Sequence, residues 1–255
     1  MALAIRLDAV SYCYPDGQAA LQDISVEIAA GTAFGVLGAN GAGKSTLLLH
    51  LNGLLRGSGT VRVGEWIVAE RTLPAIRAAV GLVFQNPDDQ LFMPSVAEDV
   101  AFGPRNQGLA PIEVQARVQR ALEIVGVGNL ATRPPHHLSL GQKKRVALAT
   151  VLAMDCEALL LDEPTSGLDP RGRRELIRFL HALPQTRVIS THDLDFALEV
   201  CDRVLVLEEG RCVREGPTRE VFADEALLLA TGLETPPTLR RNHAGNTATQ
   251  GQYSP

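Results

Sequence analysis

One nonapeptide restricts this chain more than any other stretch: Gly38-Ala39-Asn40-Gly41-Ala42-Gly43-Lys44-Ser45-Thr46. It satisfies the pattern G-x-x-x-x-G-K-[ST] at every fixed position. Residues 32–37 before it read as a buried strand, and residues 45–54 after it as a leucine-rich helix. A glycine turn in an ordinary strand–helix unit is the alternative, but it does not require every fixed position and both flanks together. The chemistry explains the pattern. Glycines let successive N–H groups turn inward as an anion nest, and the helix N-terminus adds its partial positive charge. Gly38, Asn40, Gly41, Gly43 and Thr46 are therefore candidates for cradling phosphates. Lys44 would reach the β- and γ-phosphates, and Ser45 would offer its hydroxyl to Mg²⁺.

The loop must sit in a substantial core. With 255 residues and a hydrophobic fraction of 45%, the chain has room for one large α/β domain or two smaller ones. A net charge of −5 weighs against a nucleic-acid partner. No apolar run has transmembrane length. Residues 1–10 alternate like a strand and lack the basic-then-apolar pattern of a signal peptide. Cys13, Cys156, Cys201 and Cys212 show no C-x-x-C spacing and read as small hydrophobes in a reducing compartment. Only three lysines occur, Lys44, Lys143 and Lys144; every other Lys/Arg position is Arg. Lys44 thus marks a place where a compact ammonium is needed and a planar guanidinium would not fit.

Along the chain, residues 5–14 read as an edge strand and residues 21–28 as a second. Residues 60–63 and 66–68 form a hairpin over Gly64-Glu65, and residues 80–84 another buried strand. Helical pattern then takes over. A capping box, Ser95 to Glu98, opens one helix at 95–101, Val114, Val118, Leu122 and Val125 recur at helical spacing within 111–125, and a third helix spans 139–153. With no strand signal from about 87 to 154, this is an inserted helical subdomain. Strands return at 158–161, 187–190, 203–207 and 211–214, and helices at 170–183, 194–201, 218–223 and 224–231. Asp169 and Pro170 supply the N-cap and first position of the helix at 170–183. From Thr235 onward the composition is that of a disordered tail.

Other candidate positions are weaker singly. The apolar run 158–161 ends in Asp162 and Glu163, which suits a metal-holding carboxylate followed by a general base, or equally a solvated strand end. Ser139, with Gly141 and Gln142 behind it, opens a helix and makes a second anion site, or an ordinary cap. Gln85 stands at a strand end where it could meet a metal. His192 could touch a γ-phosphate. Tyr14, or Tyr12, could stack on adenine, or either could be a core aromatic.

In combination these features resemble one family. The P-loop, Gln85, Ser139-Leu140-Gly141-Gln142, Asp162-Glu163, Ser166-Gly167-Leu168-Asp169 and His192 occur in the order and spacing of the ATP-binding cassette (ABC) ATPases, over about residues 3–216. The resemblance implies a P-loop NTPase fold with an ABC ATPase core, an antiparallel β-subdomain and the inserted helical subdomain, spanning 1–234. It implies ATP and Mg²⁺ as ligands, with Ser45, Gln85 and Asp162 toward the metal and Glu163, His192 and Gln85 toward hydrolysis. It also implies that Ser139, Gly141 and Gln142 complete the ATP site of a second ATPase subunit, most simply another copy of this chain, with Asp169 crossing the interface. Leu140 departs from the family's usual Leu-Ser-Gly-Gly-Gln. It is tolerable if its side chain points away from the nucleotide.

Gln85-Asn86-Pro87-Asp88-Asp89-Gln90-Leu91-Phe92 and Glu98 to Pro104 look like the energy-coupling-factor branch of ABC importers. Residues 138–146, 191–194 and 231–234 are similar to its cobalt and nickel uptake ATPases, and vitamin importers share much of this text. The expected partners are a transmembrane energy-coupling protein and a substrate-binding membrane component, with this chain peripheral on the cytoplasmic face of the inner membrane. Asp88 and Asp89 would meet arginine on the transmembrane partner over a floor of Leu91 and Phe92. A soluble ABC ATPase acting on nucleic acid or ribosomes would be expected to carry basic patches or a second cassette.

Overall fold

The computed structural model describes residues 2–236 and Leu239. Strand periodicity divides the apolar residues between two cores. β3 (Ala33–Leu37), β6 (Val80–Val83), β7 (Ala158–Asp162), β8 (Thr186–Thr191), β9 (Arg203–Glu208) and β10 (Arg211–Pro217) form a sheet in the order β10-β9-β3-β8-β7-β6. All its pairings are parallel except β10 on β9. Helices and a second sheet cover both its faces, so β3 and β8 are buried throughout and read as unbroken runs rather than alternating ones.

On one face, Phe34, Val36, Leu160, Val188, Leu205 and Leu207 pack with Leu47, Leu48 and Leu51 of α1 (Lys44–Leu51) and the inner face of the second sheet. That sheet is antiparallel, in the order β2-β1-β4-β5, from β1 (Ile5–Cys13), β2 (Ala19–Ile28), β4 (Ser58–Val63) and β5 (Trp66–Ile67). β1 therefore lies between β2 and β4 instead of at an edge. Its exposed outer face reads like an edge strand's, and pairing on both sides leaves no trace in a pattern of period two. On the other face of the parallel sheet, Leu159, Leu161, Ile189, Val204 and Val206 pack against helices.

Between β6 and β7 the chain runs through α3 (Val96–Asn106), α4 (Pro111–Ile124) and α5 (Leu140–Ala153). Val114, Leu122 and Val125 are buried as their spacing requires, and Val118 packs against the same core. Ser95 caps α3 by accepting from the Glu98 N–H, but the Glu98 carboxylate returns to the Ser95 hydroxyl and not to its backbone, so the expected box is half formed. α2 (Leu73–Ala79) has no counterpart in the sequence reading, because seven residues with a proline second give too little periodicity. α6 (Pro170–His181), α7 (Leu194–Val200), α8 (Thr218–Phe222) and α9 (Glu225–Ala230) complete the described elements. The Asp169 carboxylate accepts from the Gly172 N–H at 2.7 Å as the cap of α6. Thr235 and Pro236, placed by composition in the tail, are buried, and Leu239 packs on the helical core. The rest of the expected tail lies outside the described residues.

Candidate nucleotide-binding site

Strand register assembles the site. Val83 aligns with Leu161, Asp162 with Ser190, and Leu37 with Thr191. The residues that follow, Gln85, Glu163, His192 and the Gly38 loop, therefore all leave the sheet at its carboxyl end, where open α/β sheets bind ligands. Gln85 is exposed in the turn after β6.

Two glycines of the loop are required by space and by backbone angle. A β-carbon on Gly38 (φ 150°) would collide with the Leu207 carbonyl, and one on Gly43 (φ 105°) with that of Ala20. The chain between them turns from β3 into α1. Lys44 is buried beneath it, with its ammonium donating to the Gly38 carbonyl at 2.9 Å and the Ala39 carbonyl at 3.1 Å and lying 3.6 Å from Glu163 Oε1. Ser45 is exposed at the first turn. Thr46 is buried, and its hydroxyl shares a 3.0 Å hydrogen bond with Tyr14. That bond distinguishes the two tyrosines. Tyr14 is tied to the loop helix, whereas Tyr12 is wedged edge-on between Tyr14 and His50, at 5.0 and 4.9 Å.

The carboxylates are held by a residue that the sequence does not single out. Ser190, fully buried on β8, donates its hydroxyl to Asp162 Oδ1, and its hydroxyl and carbonyl oxygens accept the Glu163 N–H, each at 3.1 Å. Parallel pairing aligns Asp162 and Ser190 across 28 residues of chain. Glu163 is 5% exposed, and its Oε2 lies 2.9 Å from Nδ1 of the largely exposed His192. Neither Glu163 oxygen has a hydrogen bond within the chain. A buried carboxylate without donors is costly unless its oxygens have work elsewhere. Glu163 beside a glycine cradle and a buried ammonium suits a triphosphate and its attacking water. Ser45, Asp162 and Gln85, the expected metal ligands, would offer only oxygen donors, the set that suits Mg²⁺. Among the described residues no three His, Cys, Asp or Glu side chains converge as a metal site of their own.

The second group of candidates lies elsewhere. Ser139 caps α5 and forms a reciprocal box with Gln142, whose side-chain oxygen accepts the Ser139 N–H at 3.0 Å. Ser139 and Gly141 line a cleft of about 1020 Å³ with Gly167, Leu168, Asp169 and the flank of α6, and no residue of the 38–46 loop lines it. The chain thus presents the two halves of the expected ATP site at separate places. Leu140 leans toward Gly167, where its Cδ2 would lie 2.5 Å from an added β-carbon, and it stays 44% exposed in the same cleft. Near Gln85, Asp88 receives a 2.6 Å ion pair from Lys143, and Asp89 accepts from Asn86 at 3.3 Å. Leu91, expected at the partner surface, is buried in the helical core. Phe92 and Phe102, 63% and 40% exposed and edge-to-face at 5.1 Å, form the apolar surface instead. Asp99, 3% exposed, anchors that surface by accepting the Phe92 and Met93 N–H groups, each at 3.0 Å, and burial raises its pKa above the ordinary carboxylate range.

A largely parallel sheet with a P-loop at its carboxyl end, two acids at the end of a strand one removed from the P-loop strand and a helical insertion defines a P-loop nucleotide hydrolase. A family model described as "ABC transporter" matches residues 21–166, and the chain belongs to that family of ATPases. The energy-coupling factor transporter ATP-binding protein EcfA of Carboxydothermus hydrogenoformans is 48% identical, covering 92% of this chain and 88% of its own. Among solved structures, cbiO1 of Clostridium perfringens, described as part of the ABC transporter complex cbiONQ, superposes with a TM-score of 0.79 at 39% identity, covering 95% of this chain and 98% of its own. The dimeric ATP-binding cassette MJ0796 bound to ADP and Pi gives 0.77 at 27% identity, covering 84% and 99%.

Proposed function

We propose that this chain is the ATP-hydrolysing subunit of an energy-coupling-factor type importer whose cargo is a transition-metal ion, cobalt or nickel. The observation that carries the ATPase half of the reading is the division of the site. The P-loop, Asp162 and Glu163 sit at one place, and Ser139 and Gly141 line another. Two copies head to tail would bring each half to the other and enclose two ATP molecules. Lys44 and the loop amides would hold the phosphates, Tyr14 would meet the adenine, and Ser45, Asp162 and Gln85 would hold Mg²⁺, which when bound would supply charge neutralisation at the phosphates. Glu163 takes the proton of the attacking water, and His192, next to it, faces the γ-phosphate.

The importer half draws support from the relatives, one named for energy-coupling factor transport and one described as part of cbiONQ. Phe92, Phe102, Asp88 and Asp89 make the surface toward a transmembrane energy-coupling protein, which in turn carries a substrate-binding component. No helix among the described residues is long and apolar enough to cross a membrane, so the chain would attach through that protein at the cytoplasmic face. The test is co-purification with the membrane partner, followed by ATP-driven uptake of labelled Co²⁺, Ni²⁺ and biotin in vesicles. Metal uptake that is lost in Glu163→Gln is the expected result. Biotin uptake without metal uptake would move the chain to the vitamin importers, and failure to associate with any membrane protein would remove the importer reading.

A further inference from the structure

Glu163 has a backbone that needs holding. Its φ is 43°, in the left-handed region where a β-carbon is strained. Ser190 binds its N–H from the β8 side, and its carbonyl accepts the Ser166 N–H at 3.1 Å. The remaining support comes from another subdomain. The Lys144 ammonium, on the second turn of α5, donates to the Glu163 carbonyl at 3.1 Å and to the Pro164 carbonyl at 3.3 Å. Because the Glu163 carboxylate has no hydrogen bond of its own, its aim depends on this backbone and on its contacts with the Lys44 ammonium and the His192 ring. The adjacent Lys143 reaches the opposite way, to Asp88 in the loop after Gln85. Thus all three lysines of the chain lie at these junctions. Lys144 and Ser139 belong to one continuous helix start, whose later turns bury Val146, Ala147 and Ala149, so a displacement of α5 carries Lys144 with it.

We propose that Lys144 is a positioning residue for Glu163 of its own chain, so that the helix whose N-terminus completes one ATP site also holds the carboxylate that serves the other. The inference rests on the head-to-tail reading above, and it supplies a direct mechanical link between the two sites. Ser139 engaging the partner's nucleotide moves α5, and α5 moves the carbonyl on which the Glu163 aim depends. Arg is a poor replacement, since its planar fork is longer and wider than the gap that the ammonium spans.

Lys144→Met keeps the length and removes the donor; Lys144→Gln is the milder second variant should Met disturb folding. Losing a charged hydrogen bond of this kind is expected to lower the turnover of the dimer about 10- to 100-fold. KM for ATP and ATP-driven dimer yield in a Glu163→Gln background should stay within about twofold. Mixed dimers, purified with two tags and read in single-turnover hydrolysis, separate action within the chain from action on the partner. Lys144→Met and Glu163→Gln in the same subunit should leave the other subunit's Glu163 working at the rate of a dimer with Glu163→Gln alone. Placed in opposite subunits, they should leave only an unsupported Glu163, and the rate should fall. The reverse pattern, or unchanged turnover in Lys144→Met, overturns the inference while leaving the dimer reading intact. A Glu163→Gln protein that stays monomeric in ATP overturns both.

Discussion

At Glu163, side chain and backbone answer to different neighbours. The carboxylate faces Lys44 and His192, while the peptide groups on either side are held by Ser190, Ser166 and Lys144. Glu163→Gln preserves the shape and removes the base. It should bind ATP normally, hydrolyse it about 10²–10⁴ times more slowly, and accumulate as a dimer in light scattering with ATP. Near-normal turnover would show that another group takes the proton. Asp99 poses the opposite case, a carboxylate buried for structure. Its pKa is raised by burial, so between the ordinary aspartate value and the raised one the folded protein holds a proton that the unfolded chain has released. Stability from this group is full at low pH and is lost as pH rises through that window. Asp99→Asn keeps the acceptor for Phe92 and Met93 and cannot titrate. The gap in urea midpoint between the two proteins should therefore change as pH rises above the ordinary aspartate value, and a constant gap would contradict a buried, titrating carboxylate.

At the scale of elements, the phosphate loop is shaped by the antiparallel sheet as much as by its own sequence. Gly43 leaves no room for a β-carbon because the Ala20 carbonyl of β2 stands against it, and both belong to rigid structure. Gly43→Ala should thus cost more than the roughly 1 kcal/mol that positive φ alone imposes. It should also abolish detectable nucleotide binding in a fluorescent-ATP titration; retained affinity would mean that the loop and β2 can part. The glycine pattern around Lys44 was legible in the sequence because the spacing is local, whereas its collision partner lies more than 20 residues away on another sheet. The same holds for Leu140. Its departure from the usual glycine is visible in the sequence, but only the packing of α5 against the loop at Gly167 shows which neighbour its side chain meets.

For the whole molecule, the proposed importer role makes assembly the test of the exposed acids Asp88 and Asp89. Asp88 is bound to Lys143 within the chain, yet its side chain remains 59% exposed, and exposed pairs contribute about 0–1 kcal/mol. Asp88→Asn with Asp89→Asn should therefore leave the urea stability and the ATPase activity of the isolated chain nearly unchanged. It should weaken capture of the membrane partner in detergent, where breaking an interfacial charge pair costs about 2–5 kcal/mol. Unchanged complex yield would take these acids out of the interface, and lost ATPase activity would place them in the nucleotide site.

The sequence by itself determined the P-loop, the acids at the end of β7, the capped start of α5 and most of the strands. Each of these is a local pattern in which covalent spacing alone sets the geometry. Tertiary structure decided the rest. It placed β1 inside its sheet, made Ser190 the bridge between Asp162 and the Glu163 backbone, turned Leu91 into the core and Phe102 out of it, and brought Lys144 to the Glu163 carbonyl. Those outcomes depend on strand pairing and helix packing between segments distant in the chain. A one-dimensional pattern records that a residue is apolar or charged, and folding alone selects its neighbour.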